Sequence, residues 1–145
     1  MIIIEEIDKN RAIPAQAEHD VIVMGWEDRR RTRQRVRTLK GRECAIALPT
    51  GTVLGDGEVV YVEPDFYISI EAKEEDLLVV PLRDPTSAAA LGYEMGNRHL
   101  PVSISHGSLA TPYDRLIEEW LSKSGVPYER RKGKFEPVRM VHHHG

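Results

Sequence analysis

Three of the six histidines in this 145-residue chain, His142, His143 and His144, stand side by side near its end, on a segment too poor in apolar residues to fold by itself. Neutral imidazole is a borderline ligand that suits zinc, copper and nickel, so the cluster is a ready set of metal donors. The single cysteine, Cys44, excludes an intramolecular disulfide or a Cys-rich zinc cluster and disfavours Cu(I) as the intended ion. Spacing does not name the metal. From Gly133 to His142 an extended chain reaches roughly 30 Å, at ~3.3 Å per residue, so these imidazoles could join a site elsewhere on the folded body. An expression tag is the competing reading; tags ordinarily carry more consecutive histidines, and the cluster is read as native. Because imidazole must be neutral to coordinate, uptake should weaken as pH falls through about 6.5.

His99 is the second point of interest. Gly96-Asn97-Arg98-His99-Leu100-Pro101 places it between a helix stop and a strand, where rigid backbone would hold it. One such histidine is ordinarily structural or merely solvated. A monomer could offer only that one fixed imidazole, but a twofold axis passing nearby would bring two copies together, and one ion could be held by both subunits. His106 lies in an expected turn and could add a secondary contact, though turn histidines are commonly just solvated. His19 adjoins a strand and receives no role, and Cys44 alternates with apolar residues as a buried, inert thiol would.

The densest charge is the run Arg29, Arg30, Arg31, Arg33, Arg35 and Arg37. Alternation from Arg31 puts four guanidiniums on one strand face, suited to phosphate or to an acidic protein. An edge strand protected by charge, or a protein-docking surface, is favoured over RNA. For the whole chain, 20 Lys and Arg against 23 Asp and Glu leave a net charge of −3, without the positive field of a dedicated nucleic-acid binder. Leu54-Gly55-Asp56-Gly57 lacks the Gly-Lys-Ser/Thr ending of a P-loop, so any nucleotide chemistry would belong to a partner. The apolar runs are far shorter than the ~20 residues that span a bilayer, and the start of the chain lacks the features of a secretory signal. A cytoplasmic, membrane-free protein is expected.

Positioning these residues falls to two kinds of element. Residues 1–7, 20–25, 31–39, 43–48, 58–63 and 66–72 read as strands separated by Gly, Pro and Asp turn signals, with no helical stripe before about residue 84. Composition shifts at Lys73-Glu74-Glu75-Asp76, and residues 77–82 read as a strand. Asp84-Pro85 is an N-cap and first-turn proline, opening a helix that stops at Gly96-Asn97. Two strands follow, at 100–105 and 109–111. A second helix is expected to be capped by Thr111, with Pro112 in its first turn, and to bury Leu116, Ile117, Trp120 and Leu121 as far as Gly125. A last strand covers 126–130. The order βαββαβ is ferredoxin-like. The expectation is an α+β chain: an N-terminal all-β domain at 1–74 for partner docking, a ferredoxin-like metal-binding and dimerisation domain at 75–132, and a flexible His-containing tail at 133–145.

Several of these pieces together resemble one family. They are Gly96-Asn97-Arg98-His99 followed by Pro101, Leu48-Pro49-Thr50-Gly51-Thr52-Val53-Leu54 with Asp56-Gly57, Thr111-Pro112-Tyr113-Asp114, the arginine strand and the His-bearing tail. In this order and spacing they resemble the urease accessory nickel metallochaperones, the UreE family. The resemblance implies a homodimer whose paired His99 side chains bind nickel at the subunit interface, with His142, His143 and His144 completing or feeding the site. It implies delivery of nickel to apo-urease, with the accessory GTPase as a further partner, and no enzymatic turnover. Zinc or copper should bind as well. Some relatives carry histidines at the positions of Tyr113 and Arg115, so those peripheral sites are not expected here. The rival reading, from another class, is a nucleic-acid or protein-binding module that works through Arg29 to Arg37; a hydrolase with a His-bound metal ranks last, because no general base accompanies His99.

Overall fold

The computed structural model describes residues 1–7 and 10–138, and the chain forms two compact units, one from Met1 to Lys73 and one beginning at Glu74. The first unit is built on period-2 burial. Its strands are β1 (Ile2–Ile4), β2 (Glu18–Met24), β3 (Arg33–Arg37), β4 (Glu43–Ala47), β5 (Val59–Val62) and β6 (Phe66–Ala72), with a single-turn helix α1 (Trp26–Arg29) after β2. They form two three-stranded sheets, ordered β1-β4-β3 and β2-β6-β5. Each sheet holds one parallel pair, β1 with β4 and β2 with β6, and one antiparallel pair. Alternate residues of both sheets make one core, with Ile4, Cys44 and Ile46 from the first and Ile22, Met24, Val60, Ile68 and Ile70 from the second. A slip of one residue in β4 would expose Cys44 and Ile46 and bury Glu43, which fixes its register.

Polar residues join the sheets as well. Asp20 on β2 is buried, and its carboxylate accepts from Arg42 Nη1 at 2.7 Å and from the backbone N–H groups of Val21 and Lys40 at 2.9 and 3.2 Å. Arg42 in turn lies 4.0 Å over the ring of Phe66. One carboxylate therefore holds the turn between β3 and β4 against β2.

Two expectations for this unit need correction. Helix α1 was not foreseen, because one turn is too short to show a 3.6-residue stripe and its N-cap Gly25 makes no side-chain cap bond. Arg29 is consequently not part of the basic surface: it is fully buried, 5.7 Å from the Trp26 ring, with Nη1 donating to the Leu54 carbonyl at 3.3 Å.

The second unit contains β7 (Glu74–Pro81), α2 (Pro85–Asn97), β8 (Ser103–Ser105), β9 (Ser108–Pro112), α3 (Arg115–Lys123) and β10 (Glu129–Lys134). The sheet order is β10-β7-β9-β8 with every neighbour antiparallel, which is the ferredoxin-like arrangement. Leu78 and Val80 of β7 and Leu109 of β9 pack with Met95 of α2 and Leu121 of α3, while Leu91, Ile117 and Trp120 close around them. Asp84 caps α2, accepting from the Ser87 N–H at 2.9 Å, with Pro85 at the first turn as expected.

Helix α3 starts later than its sequence suggests. Thr111 and Pro112 belong to β9, where Thr111 pairs with Leu78 and its hydroxyl donates to the Pro101 carbonyl at 2.9 Å. The cap is Asp114, whose carboxylate accepts from the N–H groups of Leu116 and Ile117 at 2.8 and 3.2 Å. Leu116 consequently turns outward and is 66% exposed, although the apolar stripe had placed it inside. Replacing Asp114 with Ala should cost about 1 kcal/mol, the usual worth of an N-cap, read as a lower urea midpoint with an unchanged slope. The last strand also lies further along than residues 126–130, because β10 pairs Glu129 with Val79 and continues to Lys134 opposite Glu74. Beyond it Phe135 is fully buried, and the Val138 N–H donates to the Val102 carbonyl at 2.8 Å. Since β10 and β8 are opposite edges of the sheet, residues 135–138 carry the chain from one edge to the other.

Candidate metal centre

His99 sits where a helix end calls for glycine. Arg98 is the C-cap of α2, and His99 has φ +58°, the one described non-glycine residue with a positive φ. The His99 N–H donates to the Gly96 carbonyl at 3.0 Å and the Leu100 N–H to the Met95 carbonyl at 3.1 Å. This pair of bonds is the Schellman closure, with His99 at the left-handed position and Leu100 reaching back into the core beside Met95. An L-residue there is disfavoured by about 1 kcal/mol or more, although histidine tolerates it better than most.

The loop around His99 is pinned on both sides. The Arg98 guanidinium lies 4.2 Å over the Trp120 ring, Leu100 is packed in the core, and the Pro101 carbonyl is held by Thr111. The His99 side chain itself is exposed and makes no hydrogen bond or ion pair among the described residues. A fixed backbone thus presents a free imidazole to solvent, which is what an anchoring ligand needs. Beside it a hollow of about 270 Å³ is lined by Arg98, Leu100, Asp114, Leu116, Ile117 and Trp120.

The other candidates differ from it in kind or in place along the chain. His106 occupies the two-residue turn His106-Gly107 between β8 and β9, with Gly107 at φ +75°, and β8 stands between that turn and the His99 loop. His19 belongs to the other unit, stacked on Tyr67 at 4.4 Å with its Nε2 2.6 Å from Ser69 Oγ, a partnered side chain. Cys44 is buried, and burial pushes its thiol up, with the Asp20 carboxylate adding to the effect, so it offers no ready thiolate. His142, His143 and His144 lie outside the described residues. Among the described residues no three His, Cys, Asp or Glu side chains gather to hold a metal. No helix among them is long and apolar enough to cross a membrane.

Sequence reasoning found His99 but not its backbone. Gly96-Asn97 is the expected helix stop, whereas the left-handed turn falls at His99. The available signal was Leu100-Pro101, an apolar residue that can fold back on the helix, then a proline that cannot continue it.

Comparison with known proteins covers nearly the whole chain. Residues 3–73 match the model of the UreE urease accessory protein N-terminal domain, and residues 75–145 that of its C-terminal domain. A urease accessory protein UreE from Geobacillus kaustophilus is 34% identical over 135 residues, covering 92% of this chain and 91% of the relative. Its namesakes from Burkholderia thailandensis and Cupriavidus necator are 30% and 34% identical over 133 and 116 residues, or 89% and 80% of this chain. The chain spans only 62% and 60% of those two longer relatives. With both domain models matched in order and a third of its residues shared with the Geobacillus protein, the chain belongs to the urease accessory protein UreE family.

Proposed function

We propose that this chain is a nickel metallochaperone: a cytoplasmic homodimer that holds one ion between the His99 side chains of its two copies and passes it to apo-urease, without catalytic turnover of its own. The observation that supports this most is the exposed His99 imidazole on a strained, doubly pinned helix end. Strain kept at an exposed histidine, where glycine would fit without cost, points to a use for the side chain. One imidazole is too few to hold a divalent ion firmly, so the remaining donors come from a second copy and from the end of the chain. Exposed Leu116, beside the hollow next to the His99 loop, offers apolar surface for an isologous contact.

The anchor at Val138 makes the terminal histidines suitable accessory ligands. Val138 is bonded to Val102, three residues after His99 in sequence, and His142 follows four residues later. Four extended residues reach roughly 13 Å, at ~3.3 Å each, so a chain leaving Val138 can bring His142 to the neighbourhood of His99. They can close over the ion and then detach singly as the ligands of the urease apoprotein or of the accessory GTPase replace them. Selectivity for nickel over zinc or copper then rests on supply and on these partners, since imidazole affinity alone follows the Irving-Williams order.

Nickel titration by calorimetry, with mass measured on the same samples, tests the reading. The strongest site should take one ion per two chains, on a dimer. Truncation after Met140 should weaken that site about tenfold and leave the stoichiometry, as expected for accessory ligands. A tight ion on each monomeric chain would overturn the shared site.

A further inference from the structure

The arginines that remain on the first unit's surface do not act as one patch. Arg30 and Arg31 are paired within their own turn, to Glu27 at 2.6 Å and to Asp28 at 3.6 Å, and Arg37 is paired to Glu43 across the strands. Arg33 and Arg35 have no ion pair among the described residues, and both are exposed. They stand on β3, the edge strand of the sheet β1-β4-β3, whose second edge pairs with no strand among the described residues. Opposite them on β4 are Ala47 and Ala45, side chains too short to cover the guanidiniums. A shallow hollow of about 230 Å³ opens beside Arg35, lined also by Met1, Arg37 and Glu43.

An open edge is a template for one more strand, and the side chains along it decide which strand can add. A second copy of β3 would set arginine against arginine, which is unfavourable for directly opposed like charges. Carboxylates at every second residue of an extended chain recur at about 6.7 Å, the same repeat as Arg33 and Arg35. Nucleic acid meets this surface less well. It carries no backbone N–H and C=O ladder to complete the edge, and Glu27, Asp28 and Glu43 interleave the arginines with negative charge.

We infer that β3 is a docking edge for an extended acidic segment of a partner protein, which adds as an outer strand and sets alternate carboxylates against Arg33 and Arg35. The inference stands apart from the metal reading, since nothing in it involves His99.

A fluorescein-labelled peptide of ten residues alternating glutamate and threonine is a suitable probe of the full-length protein, read by anisotropy. It should bind, and a peptide alternating lysine and threonine should not. In the double variant Arg33→Glu, Arg35→Glu the preference should invert, the glutamate peptide weakening at least tenfold while the lysine peptide gains. Both side chains are exposed, so an unchanged thermal midpoint will show that the variant is folded. N-methylation of alternate peptide nitrogens on the pairing edge should abolish binding, because it removes the ladder and leaves the charges. Failure of the glutamate peptide to bind, binding indifferent to the double variant or to N-methylation, or tighter binding of a 20-nucleotide oligouridylate would each overturn the assignment.

Discussion

Substitution of His99 by glycine should remove the tight nickel site and, in the same protein, raise the unfolding free energy by about 1 kcal/mol. The two effects come from different atoms. Nickel loses an imidazole on each copy, which for a site anchored by that pair should lower affinity by at least two orders of magnitude in calorimetry. Stability gains because φ +58° crowds the Cβ of any L-residue, while glycine enters that region freely. The alanine variant separates the terms: it should lose the ion equally but gain no stability, since its Cβ stays at the same left-handed position. Urea unfolding of the metal-free proteins measures the second term, with ligand stabilisation kept out of it. Nickel affinity unchanged in both variants would sink the proposed centre. A glycine variant less stable than the parent would show that the imidazole is kept for packing instead.

That opposition explains why the site could be read only halfway from the residues. Strand periodicity carried most of the architecture, because β6 and β4 bury alternate side chains and a register slip would expose the core. The ferredoxin-like order followed from where apolar stripes change period and from the Asp84-Pro85 helix start. Three features broke the local rules. Helix α1 has one turn, too little for a stripe, and it draws Arg29 inward from a run that reads as surface. Thr111-Pro112 resembles a helix start, yet Asp114 offers a better-placed carboxylate two residues on, and Thr111 is committed to β9. At His99 the strongest expectation, glycine after the C-cap, is violated by the residue proposed to bind the ion. Local inconsistency of this kind concentrates where a side chain is wanted for something other than folding.

Asp20 should be the most acid-sensitive point of the first unit. Burial alone would push its carboxyl up, but hydrogen bonds from Thr38 and Arg42 and from the backbone N–H groups of Val21 and Lys40 together hold it below the usual carboxylate range. A carboxyl depressed in the folded state contributes stability above its unfolded value, about 3.9, and loses that contribution as pH falls through the folded value. Unfolding followed by Trp26 fluorescence should therefore show a midpoint that drops steeply below about pH 4. Asp20→Asn removes the charge and leaves Arg42, which is only 28% exposed, without its carboxylate. The cost should be about 3 kcal/mol at pH 7, in the range for breaking a buried pair by deleting one partner, and it should shrink as the parent itself is protonated. Glu18→Gln, an exposed change beside the same Lys40 and Arg42, should leave the midpoint where it is. Equal losses in the two variants would mean that diffuse charge, and not the buried clamp between β2 and the β3 to β4 turn, holds the sheets together.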